Sequence, residues 1–230
     1  MSSFTSAPVP PRPRRPSALL GDALRRPGGG RLVSLLSVLF LLGGVALFAY
    51  PNATDVYQHN RQSTLQSEFD NPAFPEAYTA RTVQVGQGLT RMRIPKLDVD
   101  VLVVEGTTPG ALRAGAGHYA GTPLPGEAGN VAIAGHRTTF GRPFNRLDEM
   151  KEGDTVLLET PGEDYTYTVL PGFAGHANPW PVQPTEYDVV GPTGADHWLT
   201  LTTCHPKGSA KQRLILRLAL TGTQVRAAKT

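Results

Sequence analysis

The chain predicts an all-β domain, a barrel or sandwich of short strands, preceded by one membrane-spanning helix. Three observations carry this. From Thr90 onward, short runs rich in apolar and β-branched residues alternate with turn residues. The 25 Gly and 21 Pro exceed ordinary usage and supply many turns. Leu32 to Tyr50 is an uncharged apolar run of 19 residues, about the length a helix needs to cross hydrocarbon.

The elements follow in order. Residues 1–31 carry six arginines and one acid among Pro, Ser and Gly, a composition that cannot bury a core; a disordered, basic cytoplasmic tail is expected. Residues 32–50 read as the transmembrane helix. Arg25, Arg26 and Arg31 flank its N-terminal side, and the first acid beyond it is Asp55, so the positive-inside rule leaves the bulk of the chain outside the cell. A cleaved signal peptide is the rival reading. The run is long for one, and Leu47 stands where a small residue should precede a cleavage site. Residues 51–88 are polar and mixed, with a helix from Ala53 to Phe69 ended by Asn71-Pro72; they read as an extracytoplasmic stalk holding the domain off the membrane.

Residues 89–221 form the predicted domain. Strands are expected at Met92-Arg93-Ile94, Val99–Val104, Asn130–Ala134, Thr155–Thr160, Tyr165–Leu170, His197–Cys204 and Arg213–Leu220. A short helix is expected near Pro109–Ala114, and residues 222–230 read as a tail. Outside the basic tail, 16 basic residues face 18 acidic ones, and no basic cluster marks a nucleic-acid surface.

Cys204 is the only cysteine, so no internal disulfide can form, and a lone thiol facing an oxidising space calls for a role. Side chains alternate along a strand. Leu199, Leu201 and Thr203 share one face, and Thr200, Thr202 and Cys204 the other. Leu214, Leu216, Leu218 and Leu220 make a core stripe, with Arg213, Ile215 and Arg217 opposite. If the two strands pair, Cys204 and Arg213 meet outside the core. A free thiol is only about 3% thiolate at pH 7 and needs a base. Of six histidines, His136 is preferred because it ends an apolar strand at Gly135 and opens a polar loop. His118 competes, although it also suits a hydrogen-bonding turn residue. His205 reads as structural and Arg137 as a loop charge.

Thr200-Leu201-Thr202-Thr203-Cys204 resembles the T-L-x-T-C signature of sortases, the membrane-anchored cysteine transpeptidases of Gram-positive bacteria. Gly135-His136 upstream, Arg213 downstream and the N-terminal anchor fall in that family's order. Gly117-His118-Tyr119, NVAIAGHRTTF (130–140) and Thr202-Thr203-Cys204-His205-Pro206 look most like the class E sortases of actinobacteria. The resemblance spans about residues 88–221. It implies a closed eight-stranded β-barrel with Cys204 as nucleophile, His136 as acid and base, and Arg213 at the oxyanion. It also implies substrate contacts at Thr203 and Tyr119, the tyrosine being tied to a Leu-Ala-x-Thr-Gly-type sorting signal. Its implied partners are surface proteins carrying that signal and a peptidoglycan-precursor amine. No cofactor is implied. No His, Asp or Glu pair has metal-ligand spacing, though calcium at loop acids such as Glu159, Glu163, Asp164 and Asp188 stays open. The rival functions are a non-catalytic membrane-anchored binding module and an L,D-transpeptidase-like enzyme, whose serine-x-glycine-cysteine context is absent.

Overall fold

The computed structural model describes residues 29–226; the expected basic tail lies almost wholly outside them. The chain divides between Tyr50 and Pro51 into two compact units. Helix α1, Gly29–Phe69, begins in the first. There it is apolar all round, with Leu39, Phe40 and Phe48 at 64%, 79% and 84% exposure. A helix so apolar on every face suits a lipid surround rather than a protein core, and this one is long and apolar enough to cross a membrane.

In the second unit, α1 is mostly polar; Val56 and Tyr57 are exposed, and Leu65 and Phe69 form an i, i+4 apolar pair. Leu65 is fully buried against Leu102, Val104, Ala111 and Ala114, with Phe69 packed alongside. Upstream, the Gln62 amide accepts from Leu102 N–H (2.7 Å) and donates to the Leu102 and Ala114 carbonyls (3.0 and 2.8 Å). The segment read as a stand-off stalk is therefore, in this part, docked on the domain. At this end of α1 two apolar residues and one side-chain amide make these contacts, too few to stand out in a mostly polar sequence.

The strands are β1 (Gly88–Ile94), β2 (Val99–Glu105), β3 (Ala116–His118), β4 (Gly129–Ala134), β5 (Thr155–Glu159), β6 (Glu163–Val169), β7 (Gly172–Phe173), β8 (His176–Ala177), β9 (Trp180–Val182), β10 (His197–His205) and β11 (Gln212–Val225). Helices α2 (Phe74–Thr79) and α3 (Pro109–Ala114) are short. The Thr108 side chain caps α3 by accepting from Ala111 N–H. Strands run in the order β10-β4-β3-β2-β1-β5-β6-β11, and β11 pairs back onto β10, closing an eight-stranded barrel. The β2–β3 and β4–β10 pairs are parallel and the other barrel pairs antiparallel.

β11 makes closure possible by its length. One edge bonds β10 along Gln212–Ala219. The other bonds β6 from Leu218 to Val225 and β9 from Arg213 to Ile215. Gly222–Val225, expected in the C-terminal tail, are thus strand. The leucine stripe behaves as read: Leu214, Leu216 and Leu218 join Leu199, Leu201, Val131, Ile133 and Phe144 in one core. Each buried leucine contributes roughly 1.5–3 kcal/mol. Ile215, on the opposite face, is buried by Trp180 and Val182 of β9, so this stretch of the barrel carries a second layer.

Three strand regions escaped the sequence. β3 is only three residues long and centres on Gly117, where an added Cβ would lie 2.4 Å from the Gly106 carbonyl. Close backbone approach selected a residue that weakens the strand signal. β9 contains Pro181, tolerable because only one of its edges is paired. The β7–β8 hairpin is too short to show alternation.

Candidate active site

Three strand ends converge at the seam where the barrel closes. On β10, Thr200, Thr202 and Cys204 face away from the core. Thr200 donates to Asn130 Oδ1 (2.6 Å), the Thr202 and Tyr119 hydroxyls share a hydrogen bond (3.1 Å), and Cys204 is a half-buried free thiol. The antiparallel register sets Cys204 directly opposite Arg213, which puts their Cα atoms about 4.5–5.5 Å apart with side chains on one face.

On the other flank, the parallel register pairs Thr202 with Ala134. It continues past the strand end: Gly135 N–H donates to the Thr202 carbonyl (3.0 Å), and the Thr203 hydroxyl to the Gly135 carbonyl (2.7 Å). Continued one residue further, the same register would set His136 beside Cys204, roughly one strand spacing of about 4.8 Å away. Gly135 is needed there, since a Cβ would strike the Phe144 ring at 2.5 Å. The His136 ring is half-buried beside Phe140, centroids 5.2 Å apart. Burial, then the Arg113 guanidinium, lowers its pKa below the ordinary histidine value. It is therefore chiefly neutral at neutral pH, able to take a proton before giving one.

Arg213 is half-buried, and its Nη1 donates to the Ala210 and Gln212 carbonyls (3.0 Å each). Its Nε and Nη2 have no protein partner among the described residues. Tyr119, Thr202 and Arg213 line one cleft of about 180 Å³ with Val182, Tyr187 and Val190. Cys204 and His136 are not among its lining residues, nor do they line the hollows of about 220 and 230 Å³ between α1, α2 and β1 and along α1. Thr203 does not face the cleft: it is 3% exposed on the core side, and its hydroxyl ties β10 to the end of β4.

Two arginines that sequence reasoning passed over shape this site. Arg137, read as a loop charge, is 3% exposed. It donates to the Cys204 carbonyl (3.2 Å) and to His205 Nδ1 (3.0 Å), and it pairs with Asp148 (2.9 Å). It clamps the backbone of the cysteine; its place right after Gly135-His136 was the only available signal. Arg217 is 1% exposed, its guanidinium over the Phe173 and Trp198 rings (4.6 and 5.0 Å), and burial pulls its pKa down to about 10. Its Nη2 bonds the Val189 carbonyl (2.9 Å), fastening the turn Tyr187–Val190 that walls the cleft. Arg137→Ala should cost about 1–3 kcal/mol of stability, because it leaves the part-buried Cys204 carbonyl and His205 Nδ1 without their donor. Chemical denaturation checks this; an unchanged midpoint would reduce Arg137 to a spectator.

The other residues singled out from the sequence are engaged elsewhere. His118 lies in β3, not a turn, with Nδ1 at Glu105 (2.8 Å) and Nε2 at Thr122 and the Pro123 carbonyl (2.9 and 3.1 Å), away from Cys204. Glu159 is engaged by Arg93 (2.8 Å) and Arg226 (3.1 Å), and Asp164 by Arg226 (3.3 Å). Among the described residues no group of three His, Cys, Asp or Glu is placed to hold a metal.

Comparison with known proteins agrees with this architecture. Residues 92–221 match the sortase domain family model. Sortase SrtE1 of Streptomyces coelicolor is 29% identical over 212 residues, 84% of this chain and 58% of that protein. This chain thus spans little more than half the length of that relative. The solved structure of sortase E from Streptomyces avermitilis superposes with TM-score 0.55 at 35% identity, covering 62% of this chain and 93% of that one. A sortase D5 transpeptidase from Clostridium perfringens gives 0.61 at 25% identity, covering 73% and 99%. With the family model matching more than half of its length on a closed eight-stranded barrel, the chain belongs to the sortase family.

Proposed function

We propose that this chain is a membrane-anchored cysteine transpeptidase. It would cleave a C-terminal sorting signal of Leu-Ala-x-Thr-Gly or Leu-Pro-x-Thr-Gly type between Thr and Gly and join the substrate to a cell-wall amine. The observation that supports this reading is the pair of registers on β10: Cys204 lies opposite Arg213 of β11, and Thr202 lies opposite Ala134, two residues before His136.

The steps follow from that placement. His136 takes the Cys204 proton, and the thiolate adds to the threonine carbonyl carbon. Negative charge develops on the carbonyl oxygen, where the Arg213 guanidinium stabilises it. The C–N bond breaks as His136 returns the proton to the departing glycine amine, leaving a thioester on Cys204. An incoming amine then attacks that carbonyl and gives its proton to His136. The thiolate departs as the new amide forms. Arg137 acts through the backbone: by holding the Cys204 carbonyl it fixes where the thiol points. Tyr119, on the cleft beside Thr202, is the residue we assign to the second position of the signal. The substrates would be surface proteins bearing that signal and the acceptor a peptidoglycan-precursor amine. Residues 32–50 would anchor the chain with its catalytic domain outside.

The test uses the whole chain in detergent with each of the two peptides and a glycine-based amine, followed by mass spectrometry. A thioester on Cys204 and a threonine-to-amine product are expected, with the alanine peptide preferred. Preference for the proline peptide would remove the role given to Tyr119. No adduct with either, from folded protein, would favour the binding-module reading.

A further inference from the structure

We propose that Thr54–Gln58 of α1, the turn just after the apolar run, is a positioning element of the active site that holds the His136 loop in place through Phe140. The contacts form a continuous chain. Phe140 lies between two rings, His136 at 5.2 Å and Tyr57 of α1 at 6.2 Å edge-on. Phe140 N–H donates to the Thr54 hydroxyl (3.3 Å), which itself donates to the Pro51 carbonyl (2.7 Å). Gly141 N–H donates to one Asp55 carboxylate oxygen (2.9 Å), and Arg142 Nη2 pairs with the other (2.6 Å). Thr54 and Gln58 are 6% and 7% exposed, so this face of the helix is sealed against the protein.

The backbone of the loop shows why the helix matters. Phe140, Gly141 and Arg142 have consecutive φ values of 51°, 72° and 47°. Left-handed backbone is unfavourable for Phe and Arg, and such a run persists only where its surroundings over-determine it. Thr54 and Asp55 supply that determination by accepting the N–H groups of Phe140 and Gly141 in turn. The fit is close: a Cβ on Gly141 would lie 2.6 Å from the Gln58 amide carbon. Phe144 N–H holds the His136 carbonyl (3.2 Å) from within the loop, but among these contacts only those of the helix keep Phe140 over the imidazole.

The effect on turnover rests on the transpeptidase reading, so the test includes a readout independent of it. Asp55→Ala and Asp55→Asn are compared with the unaltered chain in detergent, by peptide turnover and by histidine-ring NMR, the His136 signal being assigned with His136→Gln. Asp55→Ala should lower kcat about tenfold with KM changed less than about twofold, as expected when a reacting group is displaced rather than substrate binding lost. It should shift the His136 ring resonances and leave those of His118 and His197 in place. Asp55→Asn, which keeps an acceptor for Gly141 N–H, should recover most of kcat. Tyr57→Ala, which removes only the ring packed on Phe140, should move the same resonances. Unshifted His136 resonances in Asp55→Ala and Tyr57→Ala would overturn the proposal. So would equal losses in both Asp55 variants with every histidine signal displaced, since that is a general loss of fold. If the unaltered chain shows no turnover, the reaction reading fails, and the ring resonances still decide whether the helix positions His136.

Discussion

Cys204→Ala should abolish thioester and product formation, a loss of at least about 10⁴-fold, while the fold survives. The size follows from the role: without a nucleophile neither half-reaction has a route, and removing such a residue costs orders of magnitude regardless of its partners. The survival follows from the position. Cys204 is half-buried on the outer face of β10, outside the leucine core, and its backbone is held by the ladder to Arg213 and by Arg137. Truncating its side chain removes one sulfur and leaves the barrel's hydrogen bonds intact. Thermal melting and peptide turnover on the same preparation check both halves. Turnover above trace level in a correctly folded alanine variant would sink the nucleophile assignment. Cys204→Ser should fare little better, because a hydroxyl is far less acidic than a thiol in the same place.

Arg213→Lys should lower kcat/KM by about 10²–10³-fold, the usual scale for losing a donor to a developing oxyanion. The charge is kept, so a purely long-range electrostatic role would be nearly unaffected. Geometry is lost. The arginine uses Nη1 to grip the Ala210 and Gln212 carbonyls and retains Nε and Nη2 for the cleft. A lysine has one nitrogen for both tasks and no planar fork. Melting should shift by only a few degrees, since Arg213 is half-exposed and forms no ion pair among the described residues. Steady-state kinetics with the preferred peptide decides; near-normal kcat/KM would remove Arg213 from the reaction and leave it as a brace for the β10–β11 turn.

How much of this was legible can be judged residue by residue. The pairing of Cys204 with Arg213 was readable because it depends on two local facts: alternation along each strand, and a short connection that makes the strands neighbours. The short helix at Pro109–Ala114 was readable for similar reasons. His136 was favoured over His118 only by its place at a strand end. What separates them is that β4 lies parallel to β10, a neighbour more than 60 residues away in sequence, whereas His118 is engaged by Glu105 on β2. Arg137 looked like any loop cation, since burial belongs to the surroundings and not to the residue. The contacts of the segment read as a stalk were hidden for the same reason: Gln62, Thr54 and Asp55 spend their polar groups on the barrel and the His136 loop.

By itself, then, the sequence determined the local periodicities: a helix apolar on every face, strands with one leucine face, turns at Gly and Pro, and a lone cysteine beside an arginine across a short hairpin link. Only the tertiary structure decided which strand lies beside β10, which charges are buried, and what the helix after the apolar run touches. The division is physical. Period and propensity act over a few residues and leave their trace in neighbouring letters. Barrel closure, the burial of Arg137 and Arg217, and the left-handed turn held by Thr54 and Asp55 depend on contacts between distant segments, and those arise only when the whole barrel is assembled.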